Sequence, residues 1–337
     1  MATKRDLKTH EPTSTFFNVR VDNIYTANHT FIPGYKAIID EQRNRTMSIV
    51  SSNYHLVTNE DAFNIAKYIV PKVFHGKSID DFKVFNIRMP MTRSWCIIDL
   101  IIPSASRALN GFSSDCYTPY LRITNSYNRT CTLSYEIGFC RSICMNGCIF
   151  GNVGIKITAN HSDNRALRNI DCFIDENRSK LTDVEYLWRN VETMLQKARE
   201  IEINESQIIP IYCKAFNVKL DINNVTDRQK GIYASRGKRL LNDGKAYFDE
   251  LGHNGYAMYN ILSDYASYPE EGEPYIRRAQ SRVGEWLVEF TKACSKDAFS
   301  VESYIKDELS VGNFIQSLAL TPASINTPRK ILPLPNF

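Results

Sequence analysis

Apolar and polar positions alternate along the early part of the chain. Phe17, Val19 and Val21 interleave with Asn18, Arg20 and Asp22, the period of two that marks a half-buried strand. Residues 35–40 and 46–50 flank a polar turn at 41–45, which predicts a hairpin, and 54–57 reads as a further short strand. A helix is expected to start at Thr58 or Asn59. Asn59 suits a cap, Glu60 and Asp61 suit the positive end of the helix dipole, and Ala62, Ile65, Ala66 and Ile69 form an apolar stripe. Pro71 ends or bends it. Strands resume at 82–89 and 95–102, the second apolar on both faces except at Asp99, as a central buried strand should be.

Residues 120–125 and 130–137 read as an antiparallel pair across a polar turn at 126–129. In the first, Tyr120, Arg122 and Thr124 share a face opposite Leu121 and Ile123. In the second, Cys131, Leu133, Tyr135, Ile137 and Phe139 share one face, while Thr132, Ser134 and Glu136 share the other, which is expected to be wet. Residues 153–158 form one more strand. After His161 the period lengthens to about 3.6, through Leu167, Ile170, Phe173 and Ile174. Thr182 with Glu185 makes a capping box for a long helix reaching Ala198. Further helices are predicted at 226–241, 255–266, 278–294 and 301–318, and no internal repeat is found.

This order predicts an α+β fold, with a large antiparallel twisted sheet in the N-terminal half and helices mainly from the C-terminal half. The expected divisions are a flexible lead-in at 1–14, a β-rich core at 15–162, a helical portion at 163–320 packed on or beside the sheet, and an extended Pro-punctuated tail at 321–337.

Composition adds little to this picture. A hydrophobic content of 43% and a charged content of 23% are ordinary for a globular protein. No apolar run approaches the roughly 18 residues of a membrane span, and residues 1–14 lack the apolar stretch of a secretory signal. The nine cysteines are odd in number and scattered, so they do not form a disulfide framework. The expectation is a cytoplasmic protein with no membrane partner. The net charge of +4 is uneven: residues 1–150 hold 17 Lys and Arg against 12 Asp and Glu, and the remainder holds 24 against 25. A basic front half suits a polyanion as partner.

No Gly-rich phosphate loop, paired-His metal motif or nucleophile elbow is present, so no catalytic residue, cofactor or metal is assigned. Cys140, Cys144 and Cys148, with His161, would hold zinc only if a loop let them converge; buried thiols are the competing reading. Asp99 needs a partner if buried. It either pairs with a sheet arginine such as Arg88 or Arg122, or joins Asp115, Glu136 or Asp40 in the acid cluster of a metal-dependent nuclease. His161 reads as a base or as a structural histidine.

The residues that best fit a binding function are basic and aromatic. Arg88, Arg93, Arg122, Arg129 and Arg141 come from neighbouring strands and turns, with Tyr120 among them and Tyr35, Tyr54, Trp95, Tyr117 and Tyr127 interspersed. Arginines track phosphates and rings stack bases, the composition of a single-strand platform. Arg228, Lys230, Arg236, Lys238, Arg239 and Lys245, interrupted by Asp243, form a second basic stretch, in which Arg228, Arg236 and Arg239 nearly align on a helix.

Three segments carry a family likeness. The first is Lys36-Ala37-Ile38-Ile39-Asp40 with Met47-Ser48-Ile49-Val50-Ser51-Ser52-Asn53-Tyr54, leading to Asn59-Glu60-Asp61-Ala62-Phe63. The second is Pro119-Tyr120-Leu121-Arg122, Asn125-Ser126-Tyr127 and Arg141-Ser142-Ile143-Cys144-Met145-Asn146-Gly147, and the third is the stretch 256–267. Together they resemble domain-of-unknown-function family 932, the phage/plasmid-like proteins. The family's usual Asp-Gly turn after Asn-Ser is here Tyr127-Asn128-Arg129. The resemblance implies the biology of a mobile genetic element and supplies no catalytic residues.

The function expected is therefore non-enzymatic binding of single-stranded DNA, with strand annealing in recombination or replication, by a homo-oligomer whose repeated sites raise avidity. The alternative is a structural or interaction protein of a mobile element, a virion component or host-defence antagonist, using its aromatic sheet and the apolar tail at 330–337.

Overall fold

In the computed structural model, residues 12–110, 112–141, 146–149, 156–159, 161, 170–181, 183–268 and 274–321 are described. The lead-in to residue 11 and the tail from residue 322 lie outside them, as do Cys144, Thr182 and the Cys148 side chain.

The fold is α+β, with two antiparallel sheets in the N-terminal half and helices mostly in the C-terminal half. A three-stranded sheet comprises β1 (Val19–Tyr25), β2 (Phe31–Asp40) and β3 (Arg45–Ser51) in that order. The larger sheet runs from β4 (Lys83–Arg88) through β5 (Trp95–Ile101), β7 (Phe112–Ser126) and β8 (Leu133–Arg141) to β10 (Lys156–Ala159). The short β6 (Arg107–Leu109) pairs with the start of β7, and β9 (Asn146–Ile149) pairs with the end of β8. The expected single sheet is thus divided, and β1 to β3 stand apart with a small core of Phe17, Ile38, Val50, Tyr54 and Tyr127.

The helices are α1 (Asn59–Val73), α2 (Ile170–Glu176), α3 (Val184–Arg199), α4 (Ile208–Phe216), α5 (Asp227–Leu251), α6 (Gly255–Ser267), α7 (Pro274–Ala293), α8 (Val301–Tyr304) and α9 (Leu309–Leu320). Thr58, not Asn59, caps α1, in a reciprocal capping box with Asp61. Pro71 is accommodated inside the last turn. Asp183 caps α3, one residue after the position expected. The stretch 301–318 is broken between α8 and α9 by a short 3₁₀ turn, and α4 was not anticipated.

Register fixes the two faces of the large sheet. Cys96, Ile98, Leu100, Leu121, Ile123, Leu133, Tyr135, Ile137, Phe139 and Ile157 line one face. They join one continuous core with α1 and the C-terminal helices. The seat of α1 is hydrogen-bonded as well as apolar: Tyr135 Oη donates to Ala62 O, and Asn125 Nδ2 donates to Val57 O, both at 2.9 Å. Among the described residues no helix is long and apolar enough to cross a membrane.

Small residues set the closest helix approaches. A Cβ on Gly255, at the start of α6, would lie 2.5 Å from Ala198 O and 2.8 Å from the Phe290 ring. A Cβ on Gly231, in α5, would meet nothing within 4 Å. Gly255→Ala is therefore expected to destabilise the protein by about 1–3 kcal/mol. Gly231→Ala should stabilise it by about 0.5–1 kcal/mol. Urea titration of the two variants checks the contrast, and similar midpoints would contradict the packing described.

Candidate functional site

The other face of the large sheet carries a polar row running straight across the strands. Cross-strand pairing aligns Asn86 with Asp99, Asp99 with Arg122, Arg122 with Glu136, and Glu136 with Lys156. Asn86 Nδ2 donates to Asp99 Oδ2 at 3.3 Å. Arg122 makes a bidentate pair with Asp99, Nε to Oδ1 at 2.6 Å and Nη2 to Oδ2 at 2.7 Å. Lys156 Nζ lies 3.1 Å from Glu136 Oε1. Burial opposes the charge on Arg122, but Asp99, Tyr120 and Glu136 together outweigh it and hold the guanidinium above its ordinary pKa.

This face was expected to be wet, and it is buried instead. Tyr120, Glu136 and Ser134 are fully enclosed, and Arg122 is 1% exposed. From α7, Gln280 Oε1 accepts Arg122 Nη1 at 2.6 Å, and its Nε2 donates to Ser267 Oγ of α6 at 3.1 Å. The single-strand platform read from the sequence is therefore overturned at its centre: Tyr120 and Arg122 are interior residues. Arg141 is interior too. Its Nε donates to Asp115 Oδ1 at 2.5 Å and its Nη2 to Glu250 Oε1 at 2.7 Å. Tyr256 of α6 also donates to Asp115 and is 2.9 Å from the Tyr117 hydroxyl, tying helix to sheet.

The carboxylates do not assemble either. Asp99, Asp115 and Glu136 pair with Arg122, Arg141 and Lys156, and Asp40 is 3.2 Å from Arg93 Nη1. Among the described residues no group of three or more His, Cys, Asp or Glu could hold a metal ion. Cys140 is a buried thiol 3.4 Å from Thr118 O. His161 is buried and stacks on Tyr54 with centroids 4.8 Å apart, and neither ring nitrogen has a hydrogen-bond partner. Burial is the main cause of its lowered pKa, and Arg129 adds to the effect.

On α5 the expected stripe is split. Lys238 is exposed, and Arg236 is partly buried over the Tyr233 ring. Arg239 turns inward, to Asp243 at 3.3 Å, Asp264 at 3.4 Å and Tyr268 O at 2.5 Å. Arg88 is half-buried at the end of β4.

Cations do converge where three hairpin turns meet. Arg93 and Arg129 occupy left-handed turn positions after β4 and β7, with φ of 53° and 61°. Arg93 reaches Asp40 and Gln42 and covers the Phe17 ring at 4.7 Å. Arg43, from the turn after β2, donates to Met91 O at 2.5 Å, and Tyr127 N donates to Ser94 O at 2.8 Å. Arg43, Arg45, Arg93 and Arg129 thus share one end of the molecule with the acids Asp40 and Glu41, and Asp40 is buried.

The adjoining small sheet carries five of the nine exposed large hydrophobic residues among those described: Val21, Tyr25, Phe31, Tyr35 and Ile49. Tyr25 and Phe31 face each other across the first hairpin, 5.9 Å between ring centroids. Tyr35 was expected among the interspersed rings; Tyr54, Tyr117, Tyr127 and Trp95 are buried. Tyr25, Phe31, Arg43 and Arg45 were not singled out. The available signal was their place beside the polar turns at 26–30 and 41–44.

Two outcomes follow. Arg122→Met leaves Asp99 buried and unpaired, and is expected to cost about 3–5 kcal/mol, much of it recovered in the Asp99→Leu, Arg122→Met double variant. Equilibrium unfolding of both variants checks this. A histidine with a depressed folded pKa contributes full stability above about pH 6.5, and that stability falls as the pH drops through this value. Thermal melts from pH 7.5 to 5 should therefore be flatter for His161→Phe, and an unchanged slope would contradict this assignment.

No family model, curated protein or solved structure matches the chain, and the likeness to family 932 rests on the residues quoted for it.

Proposed function

We propose that this protein is a non-enzymatic binder of single-stranded nucleic acid of a mobile genetic element, acting through the three-stranded sheet and the arginine-bearing turns beside it. The observation that carries the reading is a small sheet with exposed rings, Tyr25 and Phe31 at its β1–β2 hairpin and Tyr35 along β2, and with exposed Arg43, Arg45 and Arg129 at its opposite end. Rings of this kind stack bases without reading their edges, and guanidinium groups track the phosphates. Bases held by their faces keep their pairing edges available, as strand annealing requires. The buried arginines of the large sheet take no part.

A second reading, as an interaction or structural protein of the element, draws on the same sheet. Its outer face has Tyr35 and Ile49 exposed, while the nearby charges Arg20 and Asp22 pair with each other at 3.1 Å. Aromatic, charge-poor surface of this kind suits a protein partner.

Anisotropy titration with labelled oligo-dT at low salt separates the two. Binding at micromolar protein is expected, weakening as salt rises. Phe31→Ala and Tyr35→Ala should each cost about 1–3 kcal/mol of affinity, and Arg43→Gln with Arg129→Gln should reduce the salt slope. Absence of binding, or binding indifferent to these changes, sinks the nucleic-acid reading. Recovery of the protein in purified particles would then favour the second.

A further inference from the structure

Met91 is the most exposed large hydrophobic residue among those described, at 89%. It sits at the tip of the β4–β5 hairpin, where Met89-Pro90-Met91-Thr92-Arg93 turns the chain. Met89 packs against both hydrophobic cores, so the turn points one methionine inward and the other out. The tip is held in place by its backbone and its polar side chains. Arg93 N donates to Pro90 O at 2.8 Å, the Thr92 and Ser94 hydroxyls are 2.9 Å apart, and Arg43 Nη1, from the turn after β2, donates to Met91 O at 2.5 Å. A side chain left in water adds little to the fold, so its apolar character needs another use.

Charge indicates what this tip meets. Arg43 touches Met91, and Arg93 follows two residues on. Arg45 and Arg129, at the same end of the molecule, are exposed and have no ion-pair partner among the described residues. Against these cations stand Asp40 and Glu41, and Asp40 is buried. An apolar point among guanidinium groups is the arrangement by which proteins part stacked bases: the cations hold the backbone while a Met, Leu, Ile, Phe or Pro side chain enters between two bases. We infer that Met91 is a wedge that enters between adjacent bases of the bound strand, so that the substrate is a stacked or folded strand which binding opens. This rests on the nucleic-acid reading proposed above. Wedge and rings divide the work. From Phe31 to Asp40, β2 spans roughly 30 Å at about 3.3 Å per residue. One strand can therefore meet Met91 at one end and the rings at the other. Unstacking costs a few kcal/mol per step, which stacking on Tyr25, Phe31 and Tyr35 offsets.

Runs of adenine stack and runs of thymine barely do, so two probes separate this wedge from binding itself. An oligo-dA that carries 2-aminopurine, a base that brightens when its neighbours unstack, is expected to gain fluorescence on addition of the full chain. Met91→Ala should lose most of that gain, and Met91→Leu, which keeps an apolar wedge, should retain it. Oligo-dT affinity by anisotropy should be the same for all three proteins. So should their thermal melts, since the side chain is exposed. Oligo-dT binding without a fluorescence gain, or with a gain that survives Met91→Ala, overturns the wedge and leaves the proposed function in place. A loss of oligo-dT affinity in Met91→Ala also overturns it, because Met91 would then be a plain contact. If oligo-dT is not bound at all, the wedge and the proposed function fall together.

Discussion

The interior pair of Asp99 and Arg122 constrains the large sheet more than any other contact. Two charges withdrawn from water cost several kcal/mol each unless every donor and acceptor is met. Here the two parallel hydrogen bonds are completed by Asn86 on one side and Gln280 on the other. A slip of one residue between β5 and β7 would carry Arg122 to the apolar face and leave Asp99 unpaired. The row therefore specifies register in a way that Ile, Leu and Val, which pack almost interchangeably, do not.

The same row ties the two halves of the chain together. The apolar face holds α1 and the C-terminal helices by burial, whereas the polar face receives Gln280 by a directional bond. The arginines that look most like a binding surface in the sequence are thus spent on architecture. What remains for a partner is the periphery: the small sheet, its rings, and the turns that carry the exposed Arg43 and Arg129. Left-handed backbone at Arg93 and Arg129 places those side chains at hairpin tips.

Alternation was enough to identify β5 as central, to name a sheet arginine, Arg88 or Arg122, as a partner for Asp99, and to put Tyr120, Arg122 and Thr124 on a common face. Those are local properties, set by a strand's period and by the cost of an unpaired carboxylate. Whether another element lies over that face is a long-range property, and nothing in Ser134 or Glu136 distinguishes a wet side from a covered polar one. The α4 segment Ile208–Phe216 was missed because it is short, apolar nearly all round and contains Pro210, so no face stands out. Thr58 took the cap from Asn59 because the oxygen that would cap is used elsewhere, Asn59 Oδ1 accepting from Asn125 Nδ2 at 3.0 Å. The separation of β1 to β3 from the larger sheet was not legible, since period alone does not say which strands become neighbours.

The bond between Arg122 and Gln280 spans 158 residues of chain. On a ribosome adding about 5–20 residues per second, Gln280 is made roughly 8–30 s after its arginine. For that interval the nascent sheet has its charges in place but not the amide that finishes their solvation shell. Vectorial synthesis thus leaves the front half a hydrated intermediate, and completion of the sheet awaits the late helices.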